Sequence, residues 1–80
     1  MKAPDHAEIV KSALFAVAPD IEGSEIDPSE TFRDQFEIDS MDFLNFVIGL
    51  SRTTGIQIPE ADYPALETLE GCVAYLRSKM

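Results

Sequence analysis

The chain has little that would support catalysis, metal binding or membrane insertion. It contains one cysteine, one histidine and no tryptophan among 80 residues. Because Cys72 cannot form an internal disulfide, we expect a reducing compartment and a cytoplasmic protein. No apolar run approaches the roughly 18 residues of a membrane span. Residues 1–8 are too polar and acidic for a signal or transit peptide.

The sequence also lacks the constellations of an active site or a metal site. His6 has no plausible serine or cysteine to activate, and no set of Cys and His has metal-binding spacing. A calcium loop starting at Asp20 would put Glu25 where glycine is needed and Thr31 where the bidentate glutamate belongs. No glycine-rich phosphate loop is present. We therefore predict a carrier or binding module without a catalytic or metal site.

The charge is strongly unbalanced, with 15 acidic against 6 basic residues, a net charge of −9 and a pI near 4.2. Such a surface offers no basic patch for a nucleic-acid backbone, which excludes DNA and RNA as partners. A negative surface favours basic partners and speeds their encounter. The alternative is that the acids only keep a small protein soluble.

Helical periodicity and turn residues divide the chain into helices and one long connection. Composition is that of a globular protein, with 45% hydrophobic residues, and 80 residues suffice for one small domain. We predict an all-α four-helix bundle spanning residues 1–80, with three longer helices, one short helix and a long first loop. The first predicted helix starts at Pro4 or Asp5 and ends at Val17. The second runs from 40 to about 53, the short third from about 60 to 63, and the last begins after an N-cap at Thr68.

Apolar residues recur at helical spacing in the first and last helices and are scattered through the loop. Ile9, Val10, Ala13, Leu14 and Val17 mark one buried face, and Leu69, Cys72, Val73 and Leu76 mark another. The loop from 18 to 38 is too long to stay structureless in a small domain. We expect it to be held down by Ile21, Ile26, Phe32, Phe36 and Ile38, with a helical turn starting within 28–31.

The stretch from Asp39 to Leu50 is the most informative part of the chain. Asp39 is a good N-cap, which places Ser40 at the first helical position, where a phosphate group is also favoured. The apolar residues that follow cover an arc of roughly 220°, more than the stripe of about 100° that a bundle helix needs. Either the helix is buried on two sides, or one side packs in the core and the other meets a partner. The second reading assigns Phe43, Phe46, Val47 and Leu50 to the core and Met41, Leu44 and Ile48 to the exposed side.

Asp39-Ser40-Met41-Asp42 at the start of an apolar helix resembles the Asp-Ser-Leu-Asp/Glu signature of acyl carrier proteins. The likeness extends over nearly the whole chain: one helix and a long loop precede the serine, and Ile56-Gln57-Ile58-Pro59, a short helix and a last helix follow it. The resemblance implies that Ser40 carries a covalent 4′-phosphopantetheine arm, with Asp39 and Met41 beside it. A phosphopantetheinyl transferase would attach the arm from coenzyme A, aided by Asp39 and Asp42. The thiol of the arm, not Cys72, would hold an acyl group as a thioester.

The resemblance also implies a recognition surface and a space for the cargo. The expected partner contacts are Asp39, Met41, Asp42, Leu44, Asn45, Ile48 and Arg52. The candidates for an acyl pocket are Val47, Leu50, Ile58, Leu66, Leu69 and Val73, although an ordinary packed core would use the same residues.

The sequence departs from housekeeping fatty-acid carriers on the exposed side of this helix. Asn45, Ser51 and Arg52 stand at positions where such carriers are typically rich in glutamate, and Met41 replaces the usual leucine. We therefore expect a monomeric carrier of a dedicated fatty-acid or polyketide-like pathway, loaded by its own ligase or transferase and used by the synthases of that pathway. The alternatives are a peptidyl, aminoacyl or D-alanyl carrier, and an acidic helical interaction domain whose Ser40 is never modified.

Overall fold

The computed structural model describes residues 5–79, and within this range the chain forms helices and no β-strand. The prediction of an all-α fold is confirmed. In the described part of the chain, no helix is both long and apolar enough to cross a membrane. The α-helices are α1 (His6–Val17), α2 (Phe32–Phe36), α3 (Ser40–Thr54) and α4 (Leu69–Lys79), and 3-10 helices lie at Pro19–Ile21 and Glu60–Leu66.

Capping residues set the ends of the long helices. Asp5 caps α1 by accepting a hydrogen bond from the Ala7 N–H at 2.9 Å, and Pro4, the other predicted start, lies outside the described residues. Thr68 caps α4 by accepting from the Gly71 N–H at 3.0 Å. At the end of α3, Gly55 adopts a left-handed conformation (φ 74°) and donates its N–H to the Ser51 carbonyl at 2.8 Å. A side chain at this position would be strained, which explains the glycine.

Two short elements differ from the prediction. The helical turn expected within 28–31 begins later, because Thr31 is the N-cap of α2 and accepts from the Asp34 N–H at 3.2 Å. The short helix predicted for 60–63 extends to Leu66 and includes Pro64. Pro64 has no N–H to donate in either kind of helix, and the segment continues past it as short 3-10 turns.

The core forms where α1 packs against both α3 and α4. The rings of Phe32 and Phe46 meet edge to face, with centroids 5.5 Å apart. Phe32 is only 1% exposed although it follows the long loop, so the loop reaches the centre of the bundle. The buried residues of the core are Val10, Ala13, Leu14, Phe32, Ile38, Phe46, Val47, Leu50, Leu66, Leu69, Cys72 and Leu76.

The long connection is also held by polar contacts. The Gln35 side chain accepts from the Asp27 N–H and donates to the carbonyls of Asp27 and Glu30, each at 2.9 Å. The Phe32 N–H donates to the Glu67 carbonyl at 2.9 Å, which joins the end of the loop to the start of α4. Of the predicted apolar anchors, Phe32 and Ile38 are buried, and Ile21, Ile26 and Phe36 pack against the core. The expectation that this loop is tied down is confirmed.

Candidate functional site

The N-terminus of α3 presents Ser40 to solvent. Glu37, just after α2, adopts a left-handed conformation (φ 52°) that turns the chain. Ile38 is then buried, 5% exposed, and anchors the turn in the core. Asp39 follows as the predicted N-cap, accepting from the Asp42 N–H at 2.8 Å. With Ile38 fixed in the core and Asp39 capping the helix, the next side chain, Ser40, is exposed at the first position of α3.

The surroundings of Ser40 fit a phosphodiester. The first N–H groups of an α-helix have no acceptor within the helix, and the helix dipole favours negative charge there. Asp39 satisfies the N–H of Asp42, which leaves those of Ser40 and Met41 for other acceptors. The hydroxyl is exposed and can be reached by a modifying enzyme. Among the described residues, no group of three or more His, Cys, Asp or Glu is placed to hold a metal ion.

One side of α3 leaves large apolar side chains uncovered. Met41 is 64% exposed, Leu44 37% and Ile48 42%. We call these three residues the exposed strip; Asn45 and Arg52 beside it are also exposed, and Asp42 is half-buried. On the opposite side, Phe46, Val47 and Leu50 are at most 2% exposed. The reading that divides α3 into a core side and an exposed side is therefore confirmed, and the reading that buries it on two sides is wrong.

The sequence pattern places Ser51 on the exposed side of α3 with Asn45 and Arg52, and for Ser51 this is wrong. Its side chain is half-buried, and its Oγ donates to the Ile56 carbonyl at 2.6 Å. Ser51 therefore joins the end of α3 to the segment that follows. Of the three polar departures noted in the sequence, Asn45 and Arg52 remain on the surface.

The six candidates for an acyl pocket belong to one region of the core. Val47, Leu50, Leu66 and Leu69 are buried, and Ile58 and Val73 are partly buried and pack against the same cluster. Ile58 also lines an open depression of about 510 Å³, together with Ser51, Gln57 and Pro59. The structure thus brings the six residues together as packed core, and their role in holding cargo stays a prediction.

Two tyrosines near this region were not singled out by the sequence. The Tyr63 ring meets the half-buried Phe43 ring edge to face, with centroids 6.2 Å apart, and this contact joins the 3-10 helix Glu60–Leu66 to α3. The Tyr75 hydroxyl donates to Asp62 Oδ2 at 2.7 Å and joins the same segment to α4. Both contacts depend on the path of the segment after Pro59, which periodicity does not give.

Cys72 is part of the core and not of the exposed site. It is 0% exposed, and its Sγ donates to the Leu66 carbonyl at 3.2 Å. Burial raises the pKa of its thiol to about 12. A thiol that stays protonated and is shielded from solvent is a poor nucleophile, which agrees with the sequence interpretation of Cys72 as a small buried hydrophobe.

Comparison with known proteins adds to this geometry. A family model described as "Phosphopantetheine attachment site" matches residues 12–76, a range that includes Ser40 and all of α3. No solved structure matches the chain.

Curated relatives include proteins named as acyl carriers. The meromycolate extension acyl carrier protein of Mycobacterium tuberculosis is 35% identical over 57 residues, which cover 71% of this chain and 50% of that protein. The acyl carrier protein of Rubrobacter xylanophilus is 30% identical over 56 residues, covering 70% and 69%. That of Lactobacillus johnsonii is 33% identical over 58 residues, covering 72% of each. The matched part of the chain thus spans about half the length of the mycobacterial relative.

Proposed function

The chain belongs to the acyl carrier protein family, and we propose that it carries acyl groups on a 4′-phosphopantetheine arm attached to Ser40. The observation that carries the proposal is the exposed Ser40 hydroxyl at the first position of α3, behind the Asp39 cap. When attached, the arm supplies a terminal thiol that holds the acyl group as a thioester. Proteins of this family are carriers, and we assign the chemical steps to partner enzymes.

Each residue around Ser40 has a proposed role. Ser40 provides the oxygen that is esterified by a phosphopantetheinyl transferase using coenzyme A. Asp39 fixes the start of α3, and Asp39 and Asp42 present negative charge to the transferase and to the magnesium ion that it brings. Met41 lies next to the attachment point and is the most exposed large apolar residue of the chain's described part, at 64%. Buried Cys72 does not compete with the arm for the acyl group.

The exposed strip is the surface that we assign to partner recognition. The family implies contacts with a phosphopantetheinyl transferase and with synthases. Apolar residues next to Ser40 can pack against such enzymes, and the proposed contacts are Asp39, Met41, Asp42, Leu44, Asn45, Ile48 and Arg52. Desolvation of Met41, Leu44 and Ile48 provides short-range attraction, whereas the net charge of −9 acts at long range.

We further propose that the carrier serves a dedicated fatty-acid or polyketide-like pathway and is loaded by its own ligase or transferase. The support is the lack of acids at Asn45 and Arg52. The relatives include one named for meromycolate extension and others named only as acyl carrier proteins, so their names favour no single pathway. A peptidyl, aminoacyl or D-alanyl carrier uses the same arm and is the second candidate.

The remaining assignments follow from the same proposal. We propose that the side chains of six core residues move apart and enclose the acyl chain: Val47, Leu50, Ile58, Leu66, Leu69 and Val73. Residues 1–80 act as one carrier domain and as a monomer. A free, buried Cys72 suits a reducing compartment, and we propose the cytoplasm.

The attachment site is tested by incubating the unmodified protein with coenzyme A, magnesium and a broad-specificity phosphopantetheinyl transferase. Intact mass should increase by one phosphopantetheine in the wild type and in Ser12→Ala, which removes an exposed hydroxyl from the middle of α1. Ser40→Ala should gain nothing. An unmodified wild type would support the interaction-domain alternative, and a modified Ser40→Ala would move the attachment site elsewhere.

The dedicated pathway is tested with the malonyl transferase of housekeeping fatty-acid synthesis. We expect slow transfer to the holo-protein and faster transfer to the double variant Asn45→Glu, Arg52→Glu, mainly through faster association at low salt. Efficient malonyl transfer to the wild-type holo-protein would contradict the proposal of a dedicated pathway. The intact mass of the protein isolated from its native host would identify the cargo and separate an acyl from an aminoacyl or peptidyl carrier.

A further inference from the structure

The part of α3 from Asn45 to Arg52 carries a surface of unusual composition. Asn45, Ile48, Gly49 and Arg52 follow one another at i, i+3, i+4 and i+7 and therefore share one face of the helix. We call these four residues the distal patch. At ~1.5 Å per residue, Arg52 lies about 18 Å along the helix axis from Ser40. Ile48, Asn45 and Arg52 are exposed and Gly49 is half-buried, so the patch continues the exposed strip away from the attachment site.

Gly49 is not explained by the fold of this chain. Its φ is not positive, and a Cβ added to it would meet no atom within 4 Å. Glycine in a helix interior costs about 1 kcal/mol relative to alanine. The fold thus accepts this cost without a steric reason of its own. What glycine does provide is a gap beside Ile48 and Asn45, where the backbone of another molecule can approach closely.

Arg52 places a positive charge at the end of the patch. Arg52 is exposed and forms no ion pair with any described residue. The ion pair found among the described residues joins Lys11 to Glu8 at 3.9 Å. Its position in the last turn of α3 complements the helix dipole. The patch itself contains no acid, although the chain has a net charge of −9. A basic partner group would be repelled here, and a carboxylate would be attracted.

We propose that the distal patch binds an α-helix of a partner protein that passes closely over Gly49, packs an apolar side chain on Ile48 and places a carboxylate on Arg52. This inference rests on the proposed function, because the partner is one of the enzymes that meet the exposed strip. A helix is the occupant favoured by the gap, since helices pack at a distance set by the side chains at their contact. A second copy of the chain is disfavoured, because two molecules of net charge −9 repel each other.

The test is a selection of binders from a library of displayed helical peptides that differ in charge. Displayed helical peptides share an apolar row at i, i+3, i+4 and i+7, and their flanking positions vary among Glu, Lys and Gln. They are selected against the Ser40→Ala protein at roughly 0.15 M salt, where charges beyond ~8 Å are largely screened. We expect selected peptides to carry a glutamate whose replacement by glutamine weakens binding about threefold or more. This loss should disappear against Arg52→Gln.

Two variants separate the patch from general effects. Arg77→Gln removes one positive charge from the exposed end of α4 and should leave the contribution of the peptide glutamate intact. Gly49→Ala should fold at least as stably as the parent and bind the selected peptides several-fold more weakly, because its methyl group fills the gap.

The inference fails if all-basic peptides are selected, if none is, or if Arg52→Gln and Arg77→Gln behave alike. It also fails if Gly49→Ala binds unchanged, or if sedimentation shows that the chain itself dimerises through Arg52. Because the selection uses a protein that cannot receive the arm at Ser40, its outcome is independent of the mass measurement that tests the proposed function.

Discussion

The two sides of α3 are similar in amino-acid type and opposite in environment. Phe46 and Leu50 are 0% exposed, whereas Met41 is 64% and Ile48 42% exposed. The difference arises because α1 packs on one side of α3 and no described element covers the other to the same degree. Apolar character alone therefore does not mark the core of this protein. The proposed carrier function rests on this uncovered apolar side next to the exposed Ser40.

The largest expected effect comes from comparing substitutions on the two sides of α3 by their effect on the free energy of unfolding. Phe46→Ala removes the ring that meets Phe32 edge to face at 5.5 Å and should lower the free energy of unfolding by about 3–5 kcal/mol. Ile48→Asp should change it by less than about 1 kcal/mol, because the site is exposed. Urea unfolding followed by circular dichroism measures both. An unfolded Ile48→Asp variant would place this side of α3 in the core.

A second prediction concerns Cys72 on the covered side. Burial raises the pKa of its thiol from 9.0 to about 12. Below about pH 9 the Cys72 thiol is protonated in both the folded and the unfolded chain. Between about pH 9 and about pH 12 it is protonated only in the folded chain. Each pH unit in this window should therefore cost about 1.4 kcal/mol of stability as the pH rises.

The control for this prediction is Cys72→Ala, whose stability should fall less steeply over the same pH range. The Tyr75 pKa is also raised, by burial and then by its hydrogen bond to Asp62, but this contribution is common to both proteins. Equal slopes, or rapid alkylation of Cys72 in the native protein at neutral pH, would show that the thiol is not enclosed.

The third prediction compares a glycine that leaves no room for a Cβ with one that has open space around it. A Cβ at Gly71 would collide with the Ala65 carbonyl oxygen and approach Thr68 Oγ1 at 2.9 Å, so Gly71→Ala should destabilise the fold by about 1–3 kcal/mol. At Gly49 the space is open, and Gly49→Ala should stabilise it by up to about 1 kcal/mol. Thermal unfolding of the pair gives the comparison, and shifts of the same sign would refute it.

The smallest effect concerns the charged surface as a whole. Because the net charge is −9, self-repulsion should weaken the fold at low ionic strength. Raising salt to physiological strength should increase Tm by a few degrees, corresponding to less than ~1 kcal/mol. Glu22→Gln combined with Glu25→Gln removes two charges from the exposed loop and should reduce this response. A Tm independent of salt would show that the acids are already compensated.

Much of the fold could be predicted because its signals are local. Asp39, Gly55 and Thr68 each act within one helical turn, so the limits of α3 and the start of α4 could be read from neighbouring residues. The sequence alone leaves the division of α3 open, because an apolar arc of roughly 220° fits either burial on two sides or an exposed strip. Only the packing of α1 decides which apolar residues are covered.

The helical class, the cap before Ser40 and the acidic charge depend on residue types and short spacings, so they could be read directly from the chain. Contacts between segments that are distant along the chain could not be read in this way, because they form only when the helices pack. Phe32 packs edge to face against Phe46 and donates its N–H to the Glu67 carbonyl. The Tyr75 hydroxyl donates to Asp62 Oδ2 and joins the 3-10 helix Glu60–Leu66 to α4. The physical reason is that burial and hydrogen bonding to remote backbone groups outweigh local propensity in short segments, whereas long capped helices obey it.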